Sequence, residues 1–309
     1  MILGAAGFLG SHLCEHLIRT GYLVVGIDDL SSSNGSNIES LYDSGQLEFI
    51  QHDICNPLQV SGDVDFVLNF ASLASPPQYL LNPLHTLRTG SLGTDNAIEL
   101  AIAKDARFIM ASTSEIYGEP LQHPQHESYW GNVNPIGDRS CYDEAKRYAE
   151  ALCFAHKKTQ GLNFGLIRIF NTYGPRLDPR DGRVVSNFIV QALNNEPLTI
   201  HGEGTQTRSF CYVDDLIEGV IAMMNCDENG PINLGNPTEI SVYSLAQLVI
   251  ELVQSQSAIK HLPRLADDPS QRRPDISLAR QALDWEPNIG LAEGLQNTIE
   301  WFQQKIGNS

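Results

Sequence analysis

The sequence predicts an α/β fold, a doubly wound parallel sheet joined to a smaller C-terminal α/β lobe. Three observations carry that expectation: apolar runs recur along the first half, stretches of helical periodicity separate them, and beyond Phe170 the pattern gives way to shorter elements. The runs LVVGID (23–28), LEFIQH (47–52), DFVLNFA (65–71), RFIMAST (107–113) and FGLIRIF (164–170) are apolar almost throughout, as strands covered on both faces must be. Residues 8–20, 83–104 and 142–160 place apolar side chains at helical spacing, so the first half alternates β-α-β in the Rossmann manner. In the second half, NTYGPRLDPRDGR, HGEGTQTR and NLGNPTE are dense in turn-forming residues, and LAEGLQNTIEWFQQ has the apolar stripe of a closing helix. Two units follow, 1–171 and 172–309, expected to interleave around one cleft.

Composition narrows the function. A chain of 309 residues can bury a sizeable core, and no run approaches the roughly 20 apolar residues that a membrane-spanning helix needs. Met1 leads almost directly into a glycine-rich turn, without the charged and apolar segments of an export signal. The six cysteines are scattered with no CxxC spacing, as free thiols in a reducing compartment are, and a cytoplasmic location is expected. A net charge of −17 speaks against a nucleic-acid partner while leaving room for a small basic pocket that takes an anionic small molecule.

GAAGFLG sets Gly4, Gly7 and Gly10 three residues apart, after the short run Met1-Ile2-Leu3 and at the head of the helix SHLCEHLI. Small residues there let the backbone approach a pyrophosphate at the positive end of a helix. Asp28 closes the second strand, where a carboxylate can bond the adenosine ribose hydroxyls and would repel a 2′-phosphate; NAD is therefore expected over NADP. Only three residues precede Gly4, against about five or six in a typical strand, so the first strand is predicted to be short. His12, Cys14 and His16 share this helix, but its start must face the cofactor and one side must pack on the sheet. The paired histidines are expected as surface or boundary residues, and no metal site is predicted.

Tyr142 and Lys146 form the one Tyr-x-x-x-Lys pair in the chain. On a helix the two share a face, which predicts that the ammonium stabilises the phenolate and lets Tyr142 act as a base nearer neutral pH. Taking a proton from a sugar hydroxyl while hydride leaves the same carbon is the chemistry that suits such a pair.

With GAAGFLG, Asp28, HDI (52–54), NFAS (69–72), STSEIYG (112–118), SCYDEAK (140–146) and RIFNTYGPR (168–176), the chain resembles the extended short-chain dehydrogenase/reductases that act on nucleotide sugars. ASPPQY (74–79), STSEIYGEP, YWGNVNPIG (129–137), DGRVVSNF (181–188) and DDPSQRRPDI (267–276) resemble the UDP-glucuronate decarboxylases within that superfamily. The resemblance implies a cofactor site from Gly4, Gly7, Phe8, Leu9, Gly10, Asp28, Asp53, Ile54, Phe70, Ser72, Thr89, Thr172 and Arg183, together with Tyr142 and Lys146. It implies Tyr142 as the base, Thr113 and Ser114 at the reacting region, and Glu115 and Arg272 handling the carboxylate and the reprotonation at C5. Asn171 and Arg208 would hold the diphosphate, His201 with its LTIHG segment the uracil, and Arg88 the sugar acid. Four features depart from the family pattern: Arg88 replaces a usual Lys, Gly90 a usual Asn and Asp138 a usual Pro, and the loop LSSSNGSN differs. These changes bear on affinity.

Among relatives that share an NAD-dependent first step at C4, the 4,6-dehydratases carry an Asp where this chain has Ser114, and a hydroxyl is a poor proton donor near neutral pH. Epimerases have no need of Glu115. A glucuronosyl substrate offers another route, because oxidation at C4 makes a β-keto acid that loses carbon dioxide readily. The expected reaction is decarboxylation of UDP-glucuronate to UDP-xylose with re-reduction at C4. The alternatives are an oxidative decarboxylase that releases the 4-keto pentose and NADH, another epimerase or dehydratase, and a non-catalytic NAD-responsive binding protein. Repulsion between a substrate carboxylate and Glu115 is expected to raise the pKa of Glu115 or to help expel carbon dioxide. The resemblance also implies a homodimer formed through two helices of each subunit, one of them bearing the Tyr-Lys pair.

Overall fold

The computed structural model describes residues 1–264 and 269–307; Asp267 and Asp268 of the DDPSQRRPDI string lie outside them. The first half runs β1 (Ile2–Leu3), α1 (Phe8–Arg19), β2 (Val24–Asp28), a 3₁₀ turn (Glu39–Ser44), β3 (Leu47–Gln51), β4 (Phe66–Asn69), α2 (Pro76–Leu81), α3 (Pro83–Arg88), a π turn (Thr89–Gly93), α4 (Thr94–Ala103), β5 (Arg107–Thr113), a 3₁₀ turn (Ser114–Tyr117), α5 (Ser140–Gln160) and β6 (Phe164–Ile169). The second half runs β7 (Thr172–Tyr173), α6 (Val184–Leu193), β8 (Leu198–His201), β9 (Thr207–Ser209), β10 (Cys211–Tyr212), α7 (Val213–Met224), β11 (Ile232–Leu234), β12 (Glu239–Ser241), α8 (Val242–Val253), β13 (Ile259–Leu262), β14 (Gln271–Arg272), α9 (Ser277–Leu283) and α10 (Leu291–Gly307).

Seven strands form one parallel sheet in the order β11-β6-β5-β4-β1-β2-β3. Successive strands leave β1 first on one side and then, from β4 onward, on the other, so a crevice opens at the carboxyl ends of the strands beside β1. Alternation across the pleat explains the apolar runs. Ile2, Leu68, Ile109 and Ile167 point to one face, where Leu13 and Leu17 of α1 and Val220 of α7 cover them. Leu3, Val67, Phe108, Met110 and Leu166 point to the other, under Ile98 and Ala101 of α4 and Ala149 and Cys153 of α5. As predicted, β1 is short, yet both of its residues are fully buried between β2 and β4. Met1 and Leu3 carbonyls also accept from Leu68 and Phe70, extending the ladder at each end.

The helix predicted over 83–104 is interrupted by the π turn. Gly90 and Gly93 explain the break. A Cβ on Gly90 would lie 2.6 Å from that of Ala145 in α5, and one on Gly93 2.7 Å from Ile54, so the backbone passes closer to its neighbours than a regular helix with side chains could. The other helices and the five strands fall within two residues or so of expectation.

Residues beyond 171 return to the first sheet: β11 pairs with β6, and α7 packs against α1. What remains forms three small sheets, β7 with β10, β8 with β13, and β9 between β12 and β14. In the last of these, the pairing of β14 with β9 sets Arg272 directly opposite Arg208. All six cysteines are free, and no helix among the described residues is long and apolar enough to cross a membrane.

Candidate active site

The glycine turn works by close approach. Gly4 has φ +81°, and a Cβ there would meet the Phe70–Ala71 backbone at 2.8 Å; on Gly10 it would lie 1.9 Å from the Gly4 carbonyl oxygen. α1 starts at Phe8 without a side-chain cap, so the N–H groups of Phe8, Leu9 and Gly10 form an open positive end beside the crevice. Gly4, Gly7, Asp28, Asp53, Ile54, Phe70, Ser72 and Thr89 line one cleft of ≈ 500 Å³, joined by Asp29 and His85, which pair at 3.2 Å. Asp28 accepts from the N–H groups of Ala6 (3.0 Å) and Leu30 (2.9 Å), one on each oxygen, leaving lone pairs for two ribose hydroxyls. Burial pushes its carboxyl pKa up. A cradle that a single Cβ would fill, an uncapped helix end and a carboxylate at the strand tip fit a dinucleotide without a 2′-phosphate. His12, in the same helix, points its Nε2 at the Pro175 carbonyl (2.9 Å).

Tyr142 and Lys146 both lie buried on the inner side of α5, 7% and 5% exposed. Tyr142 stacks on Tyr79 with ring centroids 5.3 Å apart and planes 9° from parallel. The expected stabilisation of the phenolate by Lys146 is not what this geometry gives. Burial pushes the Tyr142 phenol up to about 12, and the groups that pull it back are the Thr113 hydroxyl, which hydrogen-bonds it, and the Arg183 guanidinium. Lys146 sits 6.0 Å from the ring centroid and donates to the Ala111 carbonyl at 2.8 Å. Burial lowers its own pKa to about 8, with Glu150 opposing. Both groups are thus held closer to their neutral forms than in water.

The opposite balance holds at the mouth of β5. Glu115 accepts from Arg139 at 2.5 Å and from Arg272 at 3.3 Å, while Arg272, 1% exposed, also donates to the Ser114 carbonyl at 2.9 Å. Burial alone would raise the Glu115 carboxyl, but Arg139 and Arg272, with Arg208 and Arg183 behind them, outweigh it and hold it at about 2. Among these cations the protein by itself keeps Glu115 ionised. Asp143, one residue past the tyrosine, lines the same pocket.

A buried polar network fixes these parts. Glu150, one turn beyond Lys146, accepts from Ser112 (2.5 Å) and from Arg168 Nε and Nη2 (3.0 and 2.7 Å). Arg168 also donates to the Tyr117 hydroxyl, which donates to Asn233, and the Asn233 amide reaches the Gln125 and Asp275 carbonyls. Arg273 N–H closes the circuit on Gln125, so the strand bearing Arg272 is tied to β5, β6, β11 and α5.

Other expected residues are more dispersed. Arg183 is clamped by Asp181 (2.5 and 2.8 Å) within electrostatic reach of Tyr142 and Tyr79. Thr172 bonds the Phe170 carbonyl, Asn171 accepts at its own carbonyl from Cys211, and His201 lies 3.0 Å from the Pro263 carbonyl. Arg88 is exposed at the end of α3, while its neighbour Thr89 faces the cofactor cleft. The structure thus leaves Arg88 outside the cleft wall. Sequence reasoning gave no role to Arg139, Asp143 or Tyr79; Tyr79 and Asp143 stood inside motifs already singled out and Arg139 just before one, but Arg139 meets Glu115 across 24 positions and Tyr79 meets Tyr142 across 63.

The model of the NAD dependent epimerase/dehydratase family matches residues 1–235. The chain belongs to that family. UDP-glucuronic acid decarboxylase 1 of Danio rerio is 48% identical over 306 residues, 99% of this chain and 73% of that one; the protein of the same name from Arabidopsis thaliana is 47% identical over 308 residues, 100% of this chain and 70% of that one. A crystal structure of UDP-glucuronic acid 4-epimerase from Bacillus cereus, in complex with UDP-glucuronic acid and NAD, superposes with a TM-score of 0.87 at 30% identity and covers 98% of each chain. UDP-glucose 4-epimerase from Thermotoga maritima gives 0.89 at 28%, covering 99% of this chain and 98% of that one. As a member of the epimerase/dehydratase family the chain uses NAD, in agreement with the cradle and Asp28.

Proposed function

We propose that this chain is a UDP-glucuronate decarboxylase that converts UDP-glucuronate to UDP-xylose through a 4-keto intermediate. The observation that carries the reading is the Ser114–Glu115 strand end locked to the buried Arg272, beside Tyr142. A dehydratase acid is missing at Ser114, and a cationic pocket suited to a sugar carboxylate stands where that acid would act. The curated relatives named for this activity, aligned over nearly the whole chain, support it.

NAD bound in the glycine cradle supplies a hydride acceptor and a positive charge. Tyr142 is the base for the C4 hydroxyl, with Thr113 holding the phenol; Lys146, fixed by Ala111, sets the cofactor-side polarity. Oxidation at C4 places a carbonyl β to the carboxylate, and the C5–C6 bond then breaks with its electron pair passing into the C4 enolate. Arg272 and Arg139 hold charge on the carboxylate side, and Arg208 and Asn171 serve the diphosphate, with Arg208 set beside Arg272 by the β9–β14 register. The partners we assign are a UDP-sugar acid and a second copy of the chain. Exposed Leu84 on α3 and Tyr148 and Phe154 on α5 support a dimer built through these helices. Six free thiols support a cytoplasmic location. NMR of the sugar product from UDP-glucuronate tests the reading: UDP-xylose without accumulated NADH is expected. A released 4-keto pentose with stoichiometric NADH would replace this reading with oxidative decarboxylation, and no turnover would overturn both.

A further inference from the structure

Loss of carbon dioxide leaves an enolate whose C5 must take a proton, and three carboxyl groups line the pocket: Glu115, Glu119 and Asp143. Glu119 is exposed and accepts from the N–H and hydroxyl of Ser270, which leaves two candidates. Glu115 is the wrong one. Fixed between Arg139 and Arg272, it carries no proton at neutral pH. Asp143 differs in every respect. It is 7% exposed, it lines the pocket together with Glu115 and Arg139, and its Oδ1 is buried with no hydrogen-bond partner. A buried carboxylate oxygen without a donor is costly, and the neutral, protonated carboxyl costs much less there. Asp143 also follows Tyr142 directly on α5, so the phenol that serves O4 and the carboxyl that would serve C5 are borne by adjacent residues of one rigid helix.

We propose that Asp143 is the acid that protonates C5. Resting on the decarboxylase reading, the step balances as follows: the Asp143 O–H bond breaks and leaves its pair on the carboxylate, the C4=C5 pair of the enolate takes the proton as the new C5–H bond, and a pair on O4 restores the C4 carbonyl. Asp143 is left as a carboxylate and recovers a proton from solvent through the open pocket. Its surroundings suit this cycle. Burial, with Glu115 and Glu144 nearby, favours the protonated form, while Arg139 and Arg272 oppose it, and the balance leaves the carboxyl at about 7, where it can both give and regain a proton. Tyr142 and Tyr79, the other titratable neighbours, stay neutral there.

The test is turnover of UDP-glucuronate in D₂O by the wild type and by Asp143→Asn, followed by NMR of C5. Wild type is expected to place deuterium at a single C5 position. Asp143→Asn, with cofactor affinity and melting behaviour checked, is expected to turn over about 100-fold more slowly. Its residual product should carry deuterium in both C5 positions, and Asp143→Glu should restore part of the rate. Wild-type rate with single-position labelling in Asp143→Asn would overturn the assignment. Should that variant fail to fold, infrared titration of the wild type decides: a protonated-carboxyl band that disappears around neutral pH supports the proposal, and its absence at pH 6 refutes it. Failure of the wild type to release carbon dioxide would instead refute the decarboxylase reading itself.

Discussion

The two ends of the cleft are built on opposite electrostatic plans. At the Tyr142–Lys146 end the protein buries two ionisable groups and gives neither a full counter-charge, so the phenol rises to about 12 and the ammonium falls to about 8. At the Glu115 end two guanidinium groups contact one carboxylate and keep it ionised down to about pH 2. The difference teaches where a ligand's own charge is needed. At the first end the cationic ring of bound NAD would draw the phenol toward its anion; the second is charged by the protein itself and suits an anionic substrate group.

The largest expected effect comes from removing the proton acceptor proposed for the first end. Tyr142→Phe keeps the stack on Tyr79 and loses only the hydroxyl, so its effect on folding is small. Turnover of UDP-glucuronate, followed by carbon dioxide release, is expected to fall about 10³-fold. A rate within tenfold of the wild type would show that another group takes the C4 proton.

At the second end, Arg272→Ala leaves Glu115 with Arg139 alone and the Ser114 carbonyl without its donor. Breaking so buried a pair is expected to cost about 3–5 kcal/mol in denaturant unfolding and to depress kcat/KM for UDP-glucuronate more than NAD affinity. Arg272→Lys should recover little, because an ammonium cannot reproduce a fork that reaches Ser114 and Glu115 together. Equal losses of substrate and NAD affinity would mean that the two ends are not separable.

How much of this contrast the sequence displays depends on the span of the contacts involved. The first end rests on local patterns: three glycines at fixed spacing, a carboxylate at a strand tip, and two residues one helical turn apart. Such patterns are set by backbone geometry over a few residues, and they are visible in the letters. The second end depends on pairings across the fold, with Arg272 reaching Glu115 over 157 positions and Arg168 reaching Glu150 over 18. No periodicity encodes them. Arg139 and Asp143 acquire their meaning only when α5 packs beside β5, and the phenol's pKa depends on burial that the Tyr-x-x-x-Lys spacing does not specify. The π turn escaped for a related reason: Gly90 marks an approach to Ala145, far along the chain.

Glu150 joins the two ends, since it bonds Arg168 and also raises the pKa of Lys146 from one turn away. Glu150→Gln should therefore lower the Lys146 pKa further below about 8, and the alkaline limb of the pH–rate profile should move to lower pH. An unmoved limb, with stability lost, would reduce Glu150 to a partner for Arg168.

The smallest effect has the sharpest sign. Glu115 has a folded pKa below its unfolded one, so it contributes stability above about pH 4.5 that is lost as pH falls toward about 2, on the order of 3 kcal/mol in full. Asp143 has a folded pKa above its unfolded one. Between about pH 4 and 7 the native state binds the extra proton, so its contribution to stability falls as pH rises and the cost is complete above about pH 7. Asp143→Asn removes that cost, and its melting temperature should exceed the wild type's at pH 8 by a margin that narrows toward pH 5. Glu115→Gln should do the reverse, being least stable relative to the wild type at neutral pH and converging with it in acid. If both variants shift stability equally at every pH, the two carboxyl groups are not held in opposite protonation states, and the division of labour between them fails with that result.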